Sequence, residues 1–294
     1  MAAACGAFAL IAMALAAAPA MAARVGVLSN SYAVATAADF AAKIPTHTFT
    51  GIDTSASVPT LTSLTDAFDV LLVFEDQRFL NSKAVGNVAA AFANMGRTVV
   101  LGTFYDQDRS DVANPALTTI PTPGGWGALE LIDPDTTDGN GVPTDASGNP
   151  NLPRVLNAAT IVPHPLTKGV TALGAGSGFA GGNQAKPGTI VLANWTELNA
   201  RNLPDPAIAY RVTGAACVVQ IGIAPDYAVG IGTGYGNFTG DFYTVWRNAF
   251  DFAASSCGAD KNRIPALSDG GLLLTVLLVL AVAFSQRRRL LGNR

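Results

Sequence analysis

The sequence has few charged residues: Asp, Glu, Lys and Arg make up 13% of its 294 positions, whereas hydrophobic residues make up 49%. This composition excludes a disordered or collagen-like chain and leaves enough apolar side chains for one or two folded domains. Removing the four Arg and the one Asp of residues 264–294 leaves a net charge of −6 on the remainder. Because nucleic-acid binding depends on Lys and Arg that neutralise phosphates, we expect no nucleic-acid partner.

Cysteine and histidine are also scarce, with three Cys and two His in the whole chain. A zinc site with two His ligands would need both His47 and His164, so we expect no metal and no cofactor. The sequence also lacks a Gly-x-Ser-x-Gly elbow, a phosphate-binding P-loop, and a Gly-x-Gly-x-x-Gly segment after a predicted strand. These absences leave the chain without a common catalytic or nucleotide-binding signature.

The amino-terminal 23 residues carry no charged side chain and end in two overlapping Ala-x-Ala sites, residues 18–20 and 20–22. An apolar run that finishes in small residues is typical of a secretory signal peptide. We therefore assign residues 1–22 to a signal peptide that is cleaved after Ala20 or Ala22, although no Lys or Arg precedes the run. The alternatives are a buried N-terminal helix and a start codon that lies further upstream.

The carboxyl-terminal residues 264–294 join a polar segment with one Pro to an apolar run over residues 272–284, followed by Arg287, Arg288 and Arg289. Residues 264–284 are 21 in number, about the length that crosses hydrocarbon as a helix. Three consecutive Arg stop translocation and remain on the cytoplasmic side. The pattern predicts a C-terminal transmembrane helix that anchors an exported domain in the inner membrane.

The start of this tail carries a specific resemblance. Its residues are Ile264, Pro265, Ala266, Leu267, Ser268, Asp269, Gly270 and Gly271. They resemble the Ile-Pro-Thr-Leu-Ser-x-Trp-Gly box of bacterial PEP-CTERM sorting domains, with Ala266 in place of Thr and Gly270 in place of Trp. The resemblance implies that an exosortase-type membrane protease or transpeptidase cuts near the box and delivers the exported part to the cell surface or matrix. An ordinary single-pass anchor is the alternative.

Residues 23–258 predict one α/β ectodomain, joined to the tail by a linker over residues 259–263. Apolar runs predict strands, and segments with helical spacing lie between them. The predicted strands are residues 25–28, 46–52, 69–74, 98–103, 189–193, 207–212 and 216–223, and the predicted helices are residues 35–44, 82–95 and 243–254. Continuous apolar strands are typical of a parallel sheet covered on both faces, so we predict a doubly wound, mostly parallel sheet.

Two parts of this domain depart from the regular alternation. Residues 106–188 contain many Pro, Gly, Asp and Asn and predict a long loop-rich insertion. Residues 207–223 predict a β-hairpin through a turn at 213–215, and the run 229–232 predicts a further regular segment.

The ectodomain resembles the class I glutamine amidotransferase-like family, including secreted members related to trehalose-utilisation proteins, and this resemblance implies a flavodoxin-like sheet. It is carried by residues 69–74 with 97–104, by residues 164–170, and by a late hairpin before a helix containing residues 247–249. The family's amidase chemistry requires a Cys nucleophile on the turn after a central strand. Because residues 102–105 read Gly-Thr-Phe-Tyr at that turn, we expect a non-enzymatic domain.

Two cysteines remain after removal of the signal peptide: Cys217 in an apolar strand and Cys257 beyond the last helix. An oxidising compartment favours their pairing, whereas two free buried thiols are the alternative. A disulfide here closes a separation of 40 residues and contributes about 2–4 kcal/mol, mostly through the unfolded chain.

Acidic residues gather where two predicted parallel strands end, which is where open α/β sheets bind ligands. The candidate ligand residues are Glu75, Asp76, Tyr105, Asp106 and Asp108, with Ser29, Asn30 and His164 as further lining groups. Carboxylates and hydroxyls suit hard cations or sugar hydroxyls, so we expect the ectodomain to bind an extracellular polysaccharide or protein. One alternative is that these loops are polar only because they are exposed.

Two other functions compete with binding. In a secreted hydrolase or sugar-modifying enzyme, Glu75, Asp76 and Asp106 would divide the acid and base roles. A passive structural unit of the matrix would use none of these residues.

Overall fold

A computed structural model describes most of the predicted ectodomain. Its described residues are 22–74, 79, 81–102, 124–133, 153–176, 184–199, 202–214, 216–231, 238–255 and 257. The predicted signal peptide up to residue 21, the linker, the sorting box, the transmembrane helix and the Arg cluster lie outside them. Among the helices that are described, none is long and apolar enough to span a bilayer.

The elements follow one another from Arg24 to Ser255. In chain order, the strands of the described residues are β1 (Arg24–Ser29), β2 (Thr48–Asp53), β3 (Val70–Val73), β4 (Thr98–Gly102), β5 (Ile132–Asp133), β6 (Arg154–Val155), β7 (Leu173–Ala175), β8 (Gln184–Ala185), β9 (Ile190–Leu198), β10 (Pro204–Thr213), β11 (Ala216–Ile221) and β12 (Thr239–Gly240). The helices are α1 (Ala33–Lys43), α2 (Leu61–Ala67), α3 (Ser82–Asn94), α4 (Trp126–Leu129) and α5 (Phe242–Ser255), with 3-10 turns at Ala158–Thr160 and Pro165–Thr167 and a π-helix at Tyr227–Ile231.

Seven strands form one sheet in the order β2-β1-β3-β4-β11-β10-β9. The first five of these strands run parallel, and β10 runs antiparallel to both β11 and β9. The order β2-β1-β3-β4-β11 is that of flavodoxin-like, doubly wound sheets. The predicted α/β class with a mostly parallel sheet is therefore confirmed, as is the hairpin, which is the β10–β11 pair.

Two hydrophobic cores cover the two faces of this sheet, because successive side chains of a strand point to opposite sides. Val70 and Leu72 of β3 belong to the core that contains residues of α1 and α5. Leu71 and Val73 belong to the core that contains residues of α2, α3 and α4. All four are fully buried, which explains why β3 reads as a continuous apolar run.

The boundaries of some elements differ from the sequence prediction. α3 has Asn81 as its N-cap, since the Asn81 side chain accepts a hydrogen bond from the Ala84 N–H at 3.0 Å. α2 was not predicted, because it is only seven residues long; Thr60 caps it by accepting from the Ser63 N–H at 3.2 Å. The run 229–232 overlaps the π-helix rather than a strand.

The insertion carries regular structure of its own. Its described parts contain α4, β5, β6, β7 and β8. The short strands form two small sheets, ordered β12-β7-β6 and β5-β8. Trp126 fastens α4 to α3 by donating from Nε1 to the Ser82 carbonyl at 2.9 Å, and Gly86 leaves room for its ring.

Candidate functional site

The carboxyl ends of β1, β3, β4 and β11 lie side by side, and we call this side of the sheet the carboxyl edge. Leu28 near the end of β1 pairs with Val73 of β3, and Val73 pairs with Leu101 of β4. Gly102, which ends β4, pairs with Ile221 of β11. β2 lies on the other side of β1, so the connections reverse direction between β1 and β3. Open α/β sheets bind ligands at such a switch point.

The structure describes only some of the predicted ligand residues. Glu75, Asp76, Tyr105, Asp106 and Asp108 lie outside the described residues. The strand ends that precede them, Val73 and Gly102, are both at the carboxyl edge. Ser29 and Asn30 are described and stand at this edge, directly at the end of β1.

His164 does not belong with these residues. Its ring stacks on Tyr210, with centroids 4.7 Å apart, and packs edge-on against Phe252 of α5 at 5.1 Å. Phe252 adjoins Ala253, whose carbonyl accepts a hydrogen bond from Thr98, the first residue of β4. His164 therefore lies toward the opposite end of the strands, and its prediction as a lining group of the carboxyl edge is wrong. Burial in this aromatic cluster lowers the pKa of His164.

The turn after β1 is held in a constrained conformation. The Ser29 hydroxyl accepts from the Ser31 N–H at 3.2 Å, and the Ser29 carbonyl accepts from the Thr54 N–H at 2.9 Å. Tyr32 then adopts a left-handed backbone with φ of 56°, which is uncommon for an aromatic residue. Its side chain is 42% exposed, and its ring rests against Gly230, where a Cβ atom would approach the ring to 2.5 Å. The chain thus fixes an exposed aromatic ring at the carboxyl edge.

Several polar groups at this edge escaped the sequence prediction. Asp53 ends β2 beside Ser29 and accepts from the Ser55 N–H at 2.8 Å, which lowers the pKa of its carboxyl group. Asp226 and Tyr227 follow β11 and are almost fully buried, and Tyr227 is the first residue of the π-helix. Asp76 was predicted as a ligand residue because it is a carboxylate that follows a parallel strand. The same pattern could have identified Asp226. Four intervening residues, Gly222 to Pro225, obscure that pattern.

Exposed aromatic and acidic side chains are among the described groups at the carboxyl edge. An exposed aromatic ring such as that of Tyr32 and an exposed, ionised carboxylate such as that of Asp53 are groups that suit a polyhydroxylated ring or a peptide. Within the described ranges, no three His, Cys, Asp or Glu side chains are grouped so that they could hold a metal ion. Gly102, the last residue of β4, packs against Pro225, to whose Cδ a Cβ would lie 2.7 Å away.

The opposite side of the sheet, which we call the amino edge, holds the disulfide. Cys217 in β11 pairs with Thr98 at the start of β4, and it is bonded to Cys257 with a Cα–Cα distance of 5.4 Å. The Thr98 hydroxyl donates to the Cys257 carbonyl at 2.9 Å. The predicted disulfide is confirmed, and it fixes the end of the domain to the amino edge.

An ion-pair network crosses the same edge. Asp69 accepts from Arg24 and from Arg97, each at 2.9 Å, so it joins the segments that lead into β1, β3 and β4. The hydrogen bonds from Arg24 hold the pKa of the Asp69 carboxyl below its usual value. All three side chains are partly exposed, so we expect only a small effect on stability.

Two of the segments that carried the family resemblance meet on one face of the domain. The Asn248 side chain in α5 donates to the Leu166 carbonyl at 3.2 Å and to the Lys168 carbonyl at 2.8 Å. The segment of residues 164–170 borders an open cavity of about 600 Å³. The residues that line it are Ile161, Pro163, His164, Pro165, Thr167, Lys168 and Gly169.

Comparison with known proteins yields solved structures of low sequence identity. No family model matches the chain, and no curated protein does. A ThuA-like protein of Bacteroides uniformis is 12% identical, with a TM-score of 0.42 over 80% of this chain and 92% of that one. The cold-adapted β-galactosidase of Rahnella sp. R3 is 13% identical, with a TM-score of 0.40 over 68% of this chain and 28% of the enzyme. Because these values assign neither family nor activity, the fold assignment rests on the strand order alone.

Proposed function

We propose that this chain is an exported bacterial surface or matrix protein. Its ectodomain binds a glycan or a protein at the carboxyl edge, and its tail is the substrate of an exosortase-type membrane enzyme. The Cys217–Cys257 disulfide is the observation that carries the proposal. Disulfides persist in oxidising compartments and are rare in the cytosol, so the bond agrees with the signal-like residues 1–22 and with the direction set by the Arg cluster.

The position of the disulfide also supports the proposed attachment. Only six residues separate Cys257 from Ile264, the first residue of the sorting box. Even fully extended, seven residue steps span at most about 25 Å. In the proposed topology, the tail therefore starts within about 25 Å of Cys257, which lies at the amino edge. Ser29, Asn30 and Tyr32 lie at the carboxyl edge, the other end of the strands.

Mass spectrometry of the tail tests the sorting part of the proposal. P265A removes a residue that disfavours regular helix, and L267A removes a side chain that the enzyme would read. We expect the P265A/L267A variant to retain residues 264–294, while the wild-type chain loses or exchanges them near the box. As a matched control, N262A changes the adjoining linker and should be processed normally. Processing of P265A/L267A at the wild-type position would contradict the sorting hypothesis.

Titration of the exported chain with extracellular polysaccharide purified from the producing bacterium tests the binding part. Tyr32→Asn removes the ring and keeps a residue that tolerates the left-handed backbone, so the fold should not be strained further. We expect the affinity to fall about tenfold. Met95→Ala is the control, because Met95 is an exposed apolar residue that precedes β4 at the amino edge. Equal affinities of wild type and Y32N would remove Tyr32 from the site.

The hydrolase alternative makes a different prediction. If Glu75 and Asp106 carry acid and base roles, E75Q and D106N should each abolish turnover of the same polysaccharide while binding persists. The binding proposal predicts no turnover by the wild-type chain. Release of reducing ends by the wild type, lost in both variants, would favour the enzyme.

A further inference from the structure

The first residue of the packed domain has both of its backbone groups engaged. Ala22 is exposed, whereas Ala23 is only 2% exposed. The Ala23 N–H donates to His47 Nδ1 at 3.1 Å, and the Ala23 carbonyl accepts from the Thr48 N–H at 3.0 Å. The buried structure therefore begins at the amide that links Ala22 to Ala23.

The His47 ring offers one hydrogen-bond acceptor to the single Ala23 N–H. Its side chain is fully buried between the rings of Phe49 and Phe250, with centroids 6.3 and 6.0 Å away. Its Nε2 lies 3.2 Å from Asp251 Oδ1. With Nδ1 accepting and Nε2 facing a carboxylate, the neutral ring carries its proton on Nε2. The ring therefore offers the Ala23 nitrogen one lone pair.

An α-ammonium group at the Ala23 nitrogen would fit this environment poorly. It would bring a positive charge and three N–H groups to a buried position. The amide there has one N–H, which donates to one acceptor, His47 Nδ1. A buried charge without matching partners lowers stability strongly. The amide exists only while Ala22 remains attached, and cleavage after Ala22 would convert it to the terminal amine.

We propose that the signal peptide is removed after Ala20, so that the mature chain begins at Met21. Both Ala-x-Ala sites supply the small residues that cleavage requires, and the sequence pattern does not separate them. The Ala23–His47 contact favours the first site, because only a mature chain that keeps Ala22 keeps the amide at this buried position. The inference rests on the proposed export of the chain.

Amino-terminal sequencing of the chain recovered from outside the inner membrane tests the proposal. We expect the sequence to begin at Met21. A chain that begins at Ala23, or at any other residue after cleavage, overturns this inference and leaves export intact. A chain that still begins at Met1 and stays in the cytosol overturns the proposed function as well, so the two failures are distinguishable.

Two variants test whether a chain that begins at Ala23 is less stable than one that begins at Met21. A22L alters the last residue of the second site at an exposed position, and we expect a product that begins at Met21 with an unchanged Tm. A18L blocks the first site and leaves the second whole, so its product should begin at Ala23. We expect that product to unfold at least about 4 °C below the wild-type product. An Ala23 product with the wild-type Tm would overturn the proposal.

Discussion

At the scale of single residues, close contacts of glycines and of one histidine hold the strands and helices in place. Gly51 in β2 lies against the backbone of α1, where a Cβ atom would come within 2.5 Å of Val34 Cα. His47 connects the start of β1 to α5 through Ala23 and Asp251. Each contact joins residues that are far apart in the chain. We therefore expect the loss of either contact to lower the unfolding free energy of the whole domain.

Substituting Gly51 by Ala should destabilise the domain. The added methyl group meets backbone atoms of Ala33 and Val34, which cannot rotate away as a side chain would. We expect G51A to lose about 1–3 kcal/mol of unfolding free energy in urea titrations. Gly127 is the matched control, because nothing lies within 4 Å of a Cβ placed there. Equal losses for G51A and G127A would contradict the packing of α1 on β2.

The stability of the domain should fall as the pH is lowered from about 7 to about 5. Burial lowers the pKa of His47 from its usual 6.5, although Asp251 opposes the shift. Below about pH 6.5 the unfolded chain therefore binds more protons than the folded chain, and the unfolding free energy decreases. His47→Asn removes this titration and keeps an acceptor for the Ala23 N–H, so urea titrations across this range should show a smaller slope.

The other titrating groups can be separated from His47 in the same experiment. The lowered carboxyl pKa values of Asp53, Asp69 and Asp241 mean that their contributions are lost only below about pH 4. H164N controls for the second histidine, whose pKa is also lowered by burial. If H47N kept the full wild-type slope, the assignment of the pH dependence to His47 would be wrong.

At the scale of secondary structure elements, the prediction succeeded where one physical pattern dominates. β3 and β4 are buried on both faces, so their continuous apolar runs identified them and the parallel sheet. The strands of the insertion have only two or three residues, too few to show a period, so the sequence predicted loops there. The sequence prediction missed α2 for the same reason, because this helix has only seven residues.

The disulfide joins β11 to Cys257, the second residue after α5, so its effect on stability is predicted at this scale. Replacing Cys217 and Cys257 together by Ala should lower the unfolding free energy by about 2–4 kcal/mol in urea titrations. Ala is the appropriate substitute because both positions are buried. In the presence of a reductant, most of the difference between the wild type and the double variant should disappear. A wild-type stability that is insensitive to reductant would contradict a contribution from the bond.

At the scale of the whole molecule, the proposed membrane attachment and the proposed binding site lie at opposite edges of the sheet. The chain enters β1 at the amino edge and leaves through Cys257 at the same edge, while the fixed ring of Tyr32 lies at the other. The sequence predicted that polar groups follow the strands, because parallel strands place their ends together. It did not predict Tyr32 or Asp226, because the left-handed turn and the π-helix that position them depend on contacts across the fold.

Intact-protein mass spectrometry after cell fractionation and thiol alkylation tests the central claim most directly, because one mass reports both ends of the chain and its thiols. The account predicts a product outside the inner membrane that lacks the signal peptide, has been processed near residues 264–271, and carries no alkylated Cys. A cytosolic product with the mass of all 294 residues and alkylated Cys5, Cys217 and Cys257 would contradict it.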